Sequence, residues 1–235
     1  MALTKFLKHS VQANKEITED TVRQDLPDLQ NLIAYWRLYP DKFIDFLCSQ
    51  NPRNTFQFFF YQRVYLRAAI RFKYVFCTFP RGWSKSFLAV LCLMIKCILY
   101  PGCRIFVASG GKGQSASILQ QKVTEIIKLI PALEKEINWE VRGVKAKTQK
   151  TKDSVSFVFN NGSVLENVVA SEHTRGQRYQ SGLLEEAVGI DSQMLNDVLI
   201  PTLNISRKIN GKEDPNELLN QSQIYINIVS LSCER

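Results

Sequence analysis

Two short segments of the sequence contain residue types that could bind and cleave a phosphate ester. The first, FPRGWSKS at residues 79–86, includes Gly82 and ends in Lys85-Ser86. In the G-x-x-x-x-G-K-[ST] phosphate loop, the lysine reaches the phosphates and the hydroxyl holds Mg²⁺. Phe79 and Ser84 stand where that pattern has glycine, so an ordinary turn between a strand and a helix is the alternative interpretation.

The second segment, LLEE at residues 183–186, is an apolar run that ends in two carboxylates. In phosphate-loop ATPases, an acid at the end of a strand holds the magnesium shell and a further group positions the attacking water. We assign Glu185 as the Mg²⁺ ligand and Glu186 as the general base. The usual metal ligand at the first position is aspartate, whose side chain is one methylene shorter than that of Glu185. The alternative interpretation is that the two glutamates only begin a helix and have no catalytic role.

The hydrophobic pattern around these segments predicts alternating strands and helices. Strands are expected at residues 74–79, 103–109, 181–186 and 222–232, with a hairpin at 154–170 that turns at Asn161-Gly162. Helices are expected at residues 55–72, 84–100 and 113–130. Such alternation is typical of an α/β protein with a parallel sheet and right-handed crossovers. Both polar segments would then lie at the carboxyl ends of strands in one sheet.

Composition indicates a globular and basic chain. Its 235 residues are 45% hydrophobic and have a formal charge of +8. No Asp or Glu occurs from Phe46 to Thr124, an interval with eleven Lys and Arg residues, which favours a surface that faces a polyanion over scattered solvated cations. We expect one compact domain, with an N-terminal helical subregion at residues 1–55 and a core at residues 56–235.

Several protein classes are disfavoured by the sequence. The six cysteines form no C-x-x-C pair and there are only two histidines, which argues against a zinc site. SGGKG at residues 109–113 lacks the spacing of a dinucleotide fingerprint. The longest apolar run, residues 87–95, is shorter than the ~20 residues that span a bilayer. We therefore expect a soluble protein with reduced thiols and no membrane partner.

The order and spacing of several motifs resemble the ATPase domain of a tailed-bacteriophage large terminase, the motor that packages double-stranded DNA into procapsids. The resemblance runs from about Leu32 to the end of the chain. FFYQ at residues 59–62 resembles the adenine motif of that family, and ASEHTRGQRYQSGLLEE at 170–186 resembles its segment leading into the Walker B strand. INIVSLS at residues 226–232 resembles the strand with the coupling motif.

This resemblance implies a P-loop NTPase fold of the additional-strand Glu type, with a mostly parallel central sheet flanked by helices. It implies binding of ATP and Mg²⁺, with Gln62 at the base and a Walker A loop around the phosphates. That loop would comprise Arg81, Gly82, Trp83, Ser84, Lys85 and Ser86, with Arg81 at the family's spacing of four residues before the lysine. Mg²⁺ would lie between Ser86 and Glu185, and Glu186 would be the catalytic base.

The resemblance also implies a working assembly in the bacterial cytoplasm. The expected partners are double-stranded DNA, the portal protein, the small terminase subunit and copies of this chain in a ring, the family's pentamer. Arg175 is the first candidate for an arginine finger supplied to the neighbouring subunit and Arg178 the second, with a local ion pair of Arg175 to Glu172 or Glu185 as the alternative. Ser230 and Ser232 occupy the coupling positions.

Terminases also carry a nuclease domain, and we expect this chain to be the motor domain without it. Two other functions are compatible with the same motifs. One is a helicase-like or DNA-remodelling P-loop ATPase, which would separate strands. The other is a module that binds nucleotide or DNA without hydrolysis, which the departures at Ser84 and Glu185 motivate.

Overall fold

A central sheet organises the fold. The computed structural model describes residues 19–51, 54–111, 113–139, 149–150, 154–169, 171–209, 211–214 and 216–228. Helices α1 (Glu19–Leu38), α2 (Pro40–Ser49) and α3 (Phe60–Arg71) come first, followed by β1 (Tyr74–Phe79), α4 (Lys85–Leu99), β2 (Arg104–Ser109) and α5 (Gln114–Leu129). The later strands are β3 (Gln149–Lys150), β4 (Val155–Val158), β5 (Val164–Val168), β6 (Ser181–Glu185), β7 (Lys208–Ile209), β8 (Lys212–Glu213) and β9 (Ser222–Ile228).

Seven strands form the main sheet in the order β1-β9-β6-β2-β5-β4-β3. Neighbours from β1 to β5 in that order are parallel, whereas β4 pairs antiparallel with β5 and β3. The predicted α/β fold with a mostly parallel sheet is confirmed. β9 lies between β1 and β6, so one additional strand separates the two strands that precede the polar segments.

The main core lies on one face of this sheet. α4 is its centre, and every residue from Phe87 to Ile95 is at most 5% exposed. An apolar helix of this kind is stable only when it is enclosed, here by the sheet, α3 and α5. Phe43 and Ile44 of α2 belong to the same core, so α2 packs directly against the α/β layers. The predicted boundary at residue 55 stays a prediction.

A second, smaller core covers the other face. It contains Phe106, Tyr179, Leu184 and Leu199, the last from the helical stretch over residues 192–203. The sequence did not predict that stretch as a helix, and its alternation of short α, π and 3₁₀ turns explains the weak periodic signal. Both faces of the central strands are therefore buried, as their continuous apolar runs require.

The start of α3 differs from the prediction of a helix from residue 55. α3 begins at Phe60, and the six residues before it are not helical. The Asn54 side chain accepts a hydrogen bond from the Phe56 N–H at 2.9 Å, and Gln62 Oε1 accepts one from the Phe59 N–H at 2.9 Å. Side chains that bond nearby backbone in this way compete with helix formation. α1 is a single helix from Glu19 to Leu38 within the predicted N-terminal helical subregion.

Most cations of the acid-free interval are engaged within the chain. Arg67 Nε donates to Asp41 Oδ1 at 2.7 Å, and Arg63 Nη1 donates to Asp41 Oδ2 at 3.1 Å. Arg71, Lys73, Arg104 and Lys122 also donate to acceptors within the chain, and Lys96 is buried in the core. In the described part of the interval, only Arg81 has no hydrogen bond or ion pair. The polyanion-facing surface stays a prediction, because most of these cations already have partners within the chain.

No helix in the described part of the chain has both the length and the hydropathy needed to cross a membrane.

Candidate functional site

The loop between β1 and α4 contains two residues with positive φ, although only one of them is glycine. Gly82 has a φ of 84°, and Ser84 has a φ of 54° and a ψ of 27°, in the left-handed region. An L-residue there is strained by roughly 1–2 kcal/mol, which is why glycine usually occupies such positions. Ser84 nevertheless adopts the conformation, so the loop reaches the start of α4 without a second glycine.

α4 begins directly after this loop with its first backbone N–H groups uncapped by a side chain. Ser84 is the cap residue, and its hydroxyl makes no capping hydrogen bond. The first N–H groups of a helix have no partner inside the helix and sit at the positive end of its dipole. Such a terminus can bind an anion when nearby side chains support it.

Lys85 and Ser86 converge on one buried carboxylate. Lys85 Nζ donates to Glu185 Oε1 at 2.8 Å, and Ser86 Oγ donates to the same oxygen at 2.6 Å. The Glu185 side chain is 1% exposed, and its Oε2 accepts no hydrogen bond from any described residue. Burying a carboxylate without partners is unfavourable. The Lys85 ammonium on one oxygen and the lack of a partner among the described residues on the other therefore indicate a site that binds a charged ligand.

The geometry brings these three residues together because β1 and β6 end at the same edge of the sheet. β9 separates the two strands, and both are parallel to it. Phe79 of β1 pairs with Ile228, and Glu185 of β6 pairs with Ile226. The first two residues of α4, Lys85 and Ser86, contact Glu185 at the end of β6.

Glu186 follows Glu185 and leaves the strand in a different conformation. Its backbone is left-handed, with a φ of 52° and a ψ of 50°, and its N–H donates to the Ile226 carbonyl at 2.8 Å. Its Oε1 lies 3.8 Å from Lys85 Nζ, and its Oε2 accepts a hydrogen bond from Gln114 Nε2 at 3.0 Å. The two predicted acids are therefore neighbours of the predicted lysine, in unlike environments: Glu185 is buried and Glu186 is half-exposed.

The residues present are suited to Mg²⁺ bound together with a phosphate. Mg²⁺ prefers oxygen ligands and usually takes one or two from the protein, with waters and substrate phosphates completing its shell. Glu185 Oε2 has no partner among the described residues, and the Ser86 hydroxyl bonds the other oxygen of the same carboxylate. No group of three or more His, Cys, Asp or Glu side chains suited to a metal occurs in the described part of the chain.

An aromatic cluster lies beside the loop. The Trp83 side chain is 46% exposed, and its ring centroid is 4.8 Å from that of Tyr61. Gln62 is buried, with its Oε1 used by the Phe59 N–H and its Nε2 3.4 Å from the Tyr61 hydroxyl. The predicted adenine contact of Gln62 stays a prediction, because its acceptor oxygen already has a backbone donor.

The other predicted residues belong to the segment before β6 or lie outside the described residues. Arg175 belongs to the 3₁₀ turn Glu172–Gly176 and is exposed, and the exposed Arg178 donates to the carbonyls of Arg175 and Gln177. Both precede β6, whose five residues span ~13 Å at ~3.3 Å per residue and end at Glu185. The side-chain partners of Glu185 are Lys85 and Ser86, so the described structure shows no ion pair between Arg175 and Glu185. Ser230 and Ser232 lie outside the described residues.

Sequence reasoning missed one polar contact of the site. Gln114 was placed at the start of the helix predicted at residues 113–130, with no role, and it proves to contact Glu186. The available signal was its place at the start of a helix that follows a glycine-rich turn and a buried strand. That signal is weak, since glutamine is frequent at helix surfaces.

Comparisons with known proteins identify the fold. No family model and no curated relative matches the sequence. Among solved structures, HK97 bacteriophage large terminase matches 73% of this chain with a TM-score of 0.51 and 13% identity. A point mutant of the large terminase ATPase domain of Thermus phage P74-26 matches 82% of it with a TM-score of 0.52 and 16% identity. The chain has the fold of a large terminase ATPase domain.

The match spans 33% of the HK97 large terminase and 71% of the P74-26 ATPase domain. At these identities the likeness establishes the fold, and the roles of individual side chains depend on the geometry of this chain.

Proposed function

We propose that this chain is the ATP-hydrolysing motor domain of a viral DNA-packaging large terminase. The observation that carries the proposal is the convergence of Lys85 and Ser86, at the start of α4, on Glu185 at the end of β6. A lysine, a hydroxyl and a buried acid at one edge of a parallel sheet are the groups that phosphoryl transfer needs. The likeness of the fold to large terminases supports a DNA-packaging motor over other P-loop enzymes.

ATP binding follows from the charge and the donors at the loop. The uncapped N–H groups of α4 and the Lys85 ammonium would hold the phosphates, and the exposed, unpaired Arg81 would reach them from the other end of the loop. Ser86 and Glu185 would hold Mg²⁺, which supplies neutralisation of the phosphate charge when bound. Trp83 would flank the nucleotide, with Gln62 near its base.

Hydrolysis needs a base and a cation that stabilises the transition state. Glu186 has the chemistry of the base, since its carboxylate is half-exposed and its Oε1 faces Lys85. Arg175, with Arg178 second, would complete the site of an adjacent subunit as an arginine finger. Its exposure supports a role between subunits.

The partners follow from the same proposal. Double-stranded DNA would be held through its phosphates by Lys and Arg, with little reading of sequence. A ring of copies on the portal protein, supplied with DNA by the small terminase subunit, would use each hydrolysis step to move the duplex. Ser230 and Ser232 would couple the phosphate state to that movement.

A phosphate-release assay tests the proposal. Wild-type protein with ATP, Mg²⁺ and duplex DNA should turn over ATP at a rate per subunit that rises with protein concentration, because the finger comes from a neighbour. Lys85→Ala and Glu186→Ala should abolish turnover, and Arg175→Ala should reduce it only where copies assemble. Unchanged turnover in both site variants would refute the site.

Two further assays separate the alternatives. Calorimetry that shows ATP binding while phosphate release stays absent at every concentration would favour a binding module. Strand separation of a duplex substrate would favour a helicase-like enzyme, whereas a packaging motor should move the duplex intact.

A further inference from the structure

Glu186 has a fixed backbone and a side chain that would be mobile without a partner. The N–H bond to Ile226 and the left-handed φ of 52° hold its main chain. Its side chain is 42% exposed, and a glutamate at such a position ordinarily samples several rotamers. Strained backbone conformations of this kind concentrate at functional sites, where the surrounding structure maintains them.

The two oxygens of this carboxylate face different groups. Oε2 accepts the 3.0 Å hydrogen bond from Gln114 Nε2, while Oε1 lies 3.8 Å from Lys85 Nζ. The oxygen on the side of the candidate phosphate site is thus the one that Gln114 leaves unused. Lys85 and the adjacent Glu185 are charged neighbours of Glu186 in the described structure.

The segment that leads into Gln114 packs closely against the turn that follows β6. Gln114 is the first residue of α5, and its N–H donates to the Gly111 carbonyl at 3.2 Å. The neighbouring Gly110 packs on Gly189 so closely that a Cβ at Gly110 would lie 2.5 Å from the Gly189 carbonyl oxygen. Because this contact is between backbones, it sets the distance between the start of α5 and the turn that contains Glu186.

We propose that Gln114 is a positioning residue, which holds Glu186 with Oε1 directed toward the phosphate site. The inference rests on the proposed function, in which Glu186 accepts a proton from the attacking water. A base must present one oxygen within hydrogen-bond reach of that water. An amide donor on the other oxygen provides this orientation, and small displacements of reacting groups reduce rates strongly.

The test compares Gln114→Met, which keeps the length of the side chain and removes the donor, with wild type. We expect kcat to fall about 10–100-fold, a part of the ~10²–10⁴-fold that a general base contributes. KM for ATP should change less than about 2-fold, since Lys85 and Ser86 form their side-chain hydrogen bonds with Glu185 and the Gln114 amide bonds Glu186. Gln114→His, whose ring N–H has a similar reach, should recover most of kcat.

The matched control is Gln121→Met on the same helix. Gln121 is exposed, and its Nε2 donates to Ser117 Oγ at 3.1 Å, so its loss should leave kcat unchanged. Crystal structures of wild type and Gln114→Met without nucleotide provide a readout independent of activity. We expect one Glu186 rotamer in wild type and several in the variant.

The outcomes distinguish this inference from the proposed function. Wild-type turnover with an unchanged kcat in Gln114→Met, or a single Glu186 rotamer in both crystal structures, would overturn the role of Gln114 alone. Absence of turnover from wild type at every protein concentration would overturn the proposed function and this inference together.

Discussion

Lys85 and Glu185 form a 2.8 Å ion pair although they are 100 residues apart in the chain. One begins α4 and the other ends β6, so the pair joins the two elements that would hold the phosphates and the metal. In this state the lysine neutralises the acid, and a bound nucleotide would draw Lys85 toward its phosphates. The pair thus links the stability of the free protein to the groups proposed for catalysis.

Lys85→Met should therefore affect stability as well as turnover. Removing one partner of a buried pair leaves the other charge uncompensated, so we expect a loss of about 3 kcal/mol in the free energy of unfolding. Urea denaturation monitored by circular dichroism measures the loss. Lys122→Met is the control, because Lys122 pairs with Glu125 at the surface. A variant as stable as wild type would show that Ser86 alone can satisfy Glu185.

Ser84 allows a test of the loop backbone. Ser84→Gly should retain turnover and change the free energy of unfolding by less than about 1 kcal/mol, because relief of left-handed strain is offset by the chain entropy of glycine. Ser84→Val should destabilise the fold by about 1–2 kcal/mol, since a β-branched residue fits the left-handed region poorly. Its turnover should fall as well. Equal stability and turnover in the two variants would contradict the observed φ of 54°.

Asp41 predicts a pH-dependent stability. Burial acts to raise the pKa of this carboxyl, but hydrogen bonds and charges from Arg67 and Arg63 outweigh burial, and the pKa lies below its ordinary value. The stabilisation is therefore complete above the unfolded pKa of ~3.9 and is lost as the pH falls toward the folded value. Asp41→Asn should cost about 2 kcal/mol at neutral pH, the value of charged hydrogen bonds.

Urea denaturation of Asp41→Asn and wild type at neutral and acidic pH tests this expectation. The difference in the free energy of unfolding should shrink below about pH 4, where Asp41 of the unfolded chain binds a proton. Asp197→Asn is the control, because Asp197 is exposed. A difference that stays constant across that range would contradict the ion-pair account.

Lys96 destabilises the fold at neutral pH, in contrast to Asp41, although both groups make stability rise with pH. It is 1% exposed, donates only to the hydroxyls of Ser181 and Ser222, and burial lowers its pKa. The unfolded chain binds a proton at Lys96 more readily, so this lysine destabilises the fold at neutral pH, and the effect disappears as the pH rises toward ~10.4. Lys96→Met should raise the free energy of unfolding by about 1 kcal/mol at neutral pH, since apolar replacements of buried charges are often stabilising.

The two serines make this variant feasible, because Ser222 Oγ donates to Ser181 Oγ at 2.7 Å and each keeps a partner when the amine is removed. Thermal or urea denaturation at neutral pH and near pH 10 measures the effect, with Lys122→Met as the surface control. A destabilised Lys96→Met at neutral pH would show that the amine is needed between β6 and β9.

The sequence predicted elements best where one local signal was strong. α4 was expected at residues 84–100 and is found at Lys85–Leu99, because an apolar run of that length has no stable alternative to a buried helix. α3 was extended too far toward the N-terminus, because side-chain bonds from Asn54 and Gln62 to the backbone override the helical pattern. Gln114 was missed, since its contact depends on a packed turn more than 70 residues later in the chain.

The sequence by itself determined which segments are apolar runs that must be buried and which polar residues come directly after them. Those properties are local and periodic, and they placed Lys85, Ser86, Glu185 and Glu186 at strand or helix ends. Only the tertiary structure decided that β9 lies between β1 and β6, that Ser84 is left-handed, and that Lys96 is buried beneath the sheet. Strand order and contacts across the sheet are set by packing between distant segments, which no short stretch of sequence specifies.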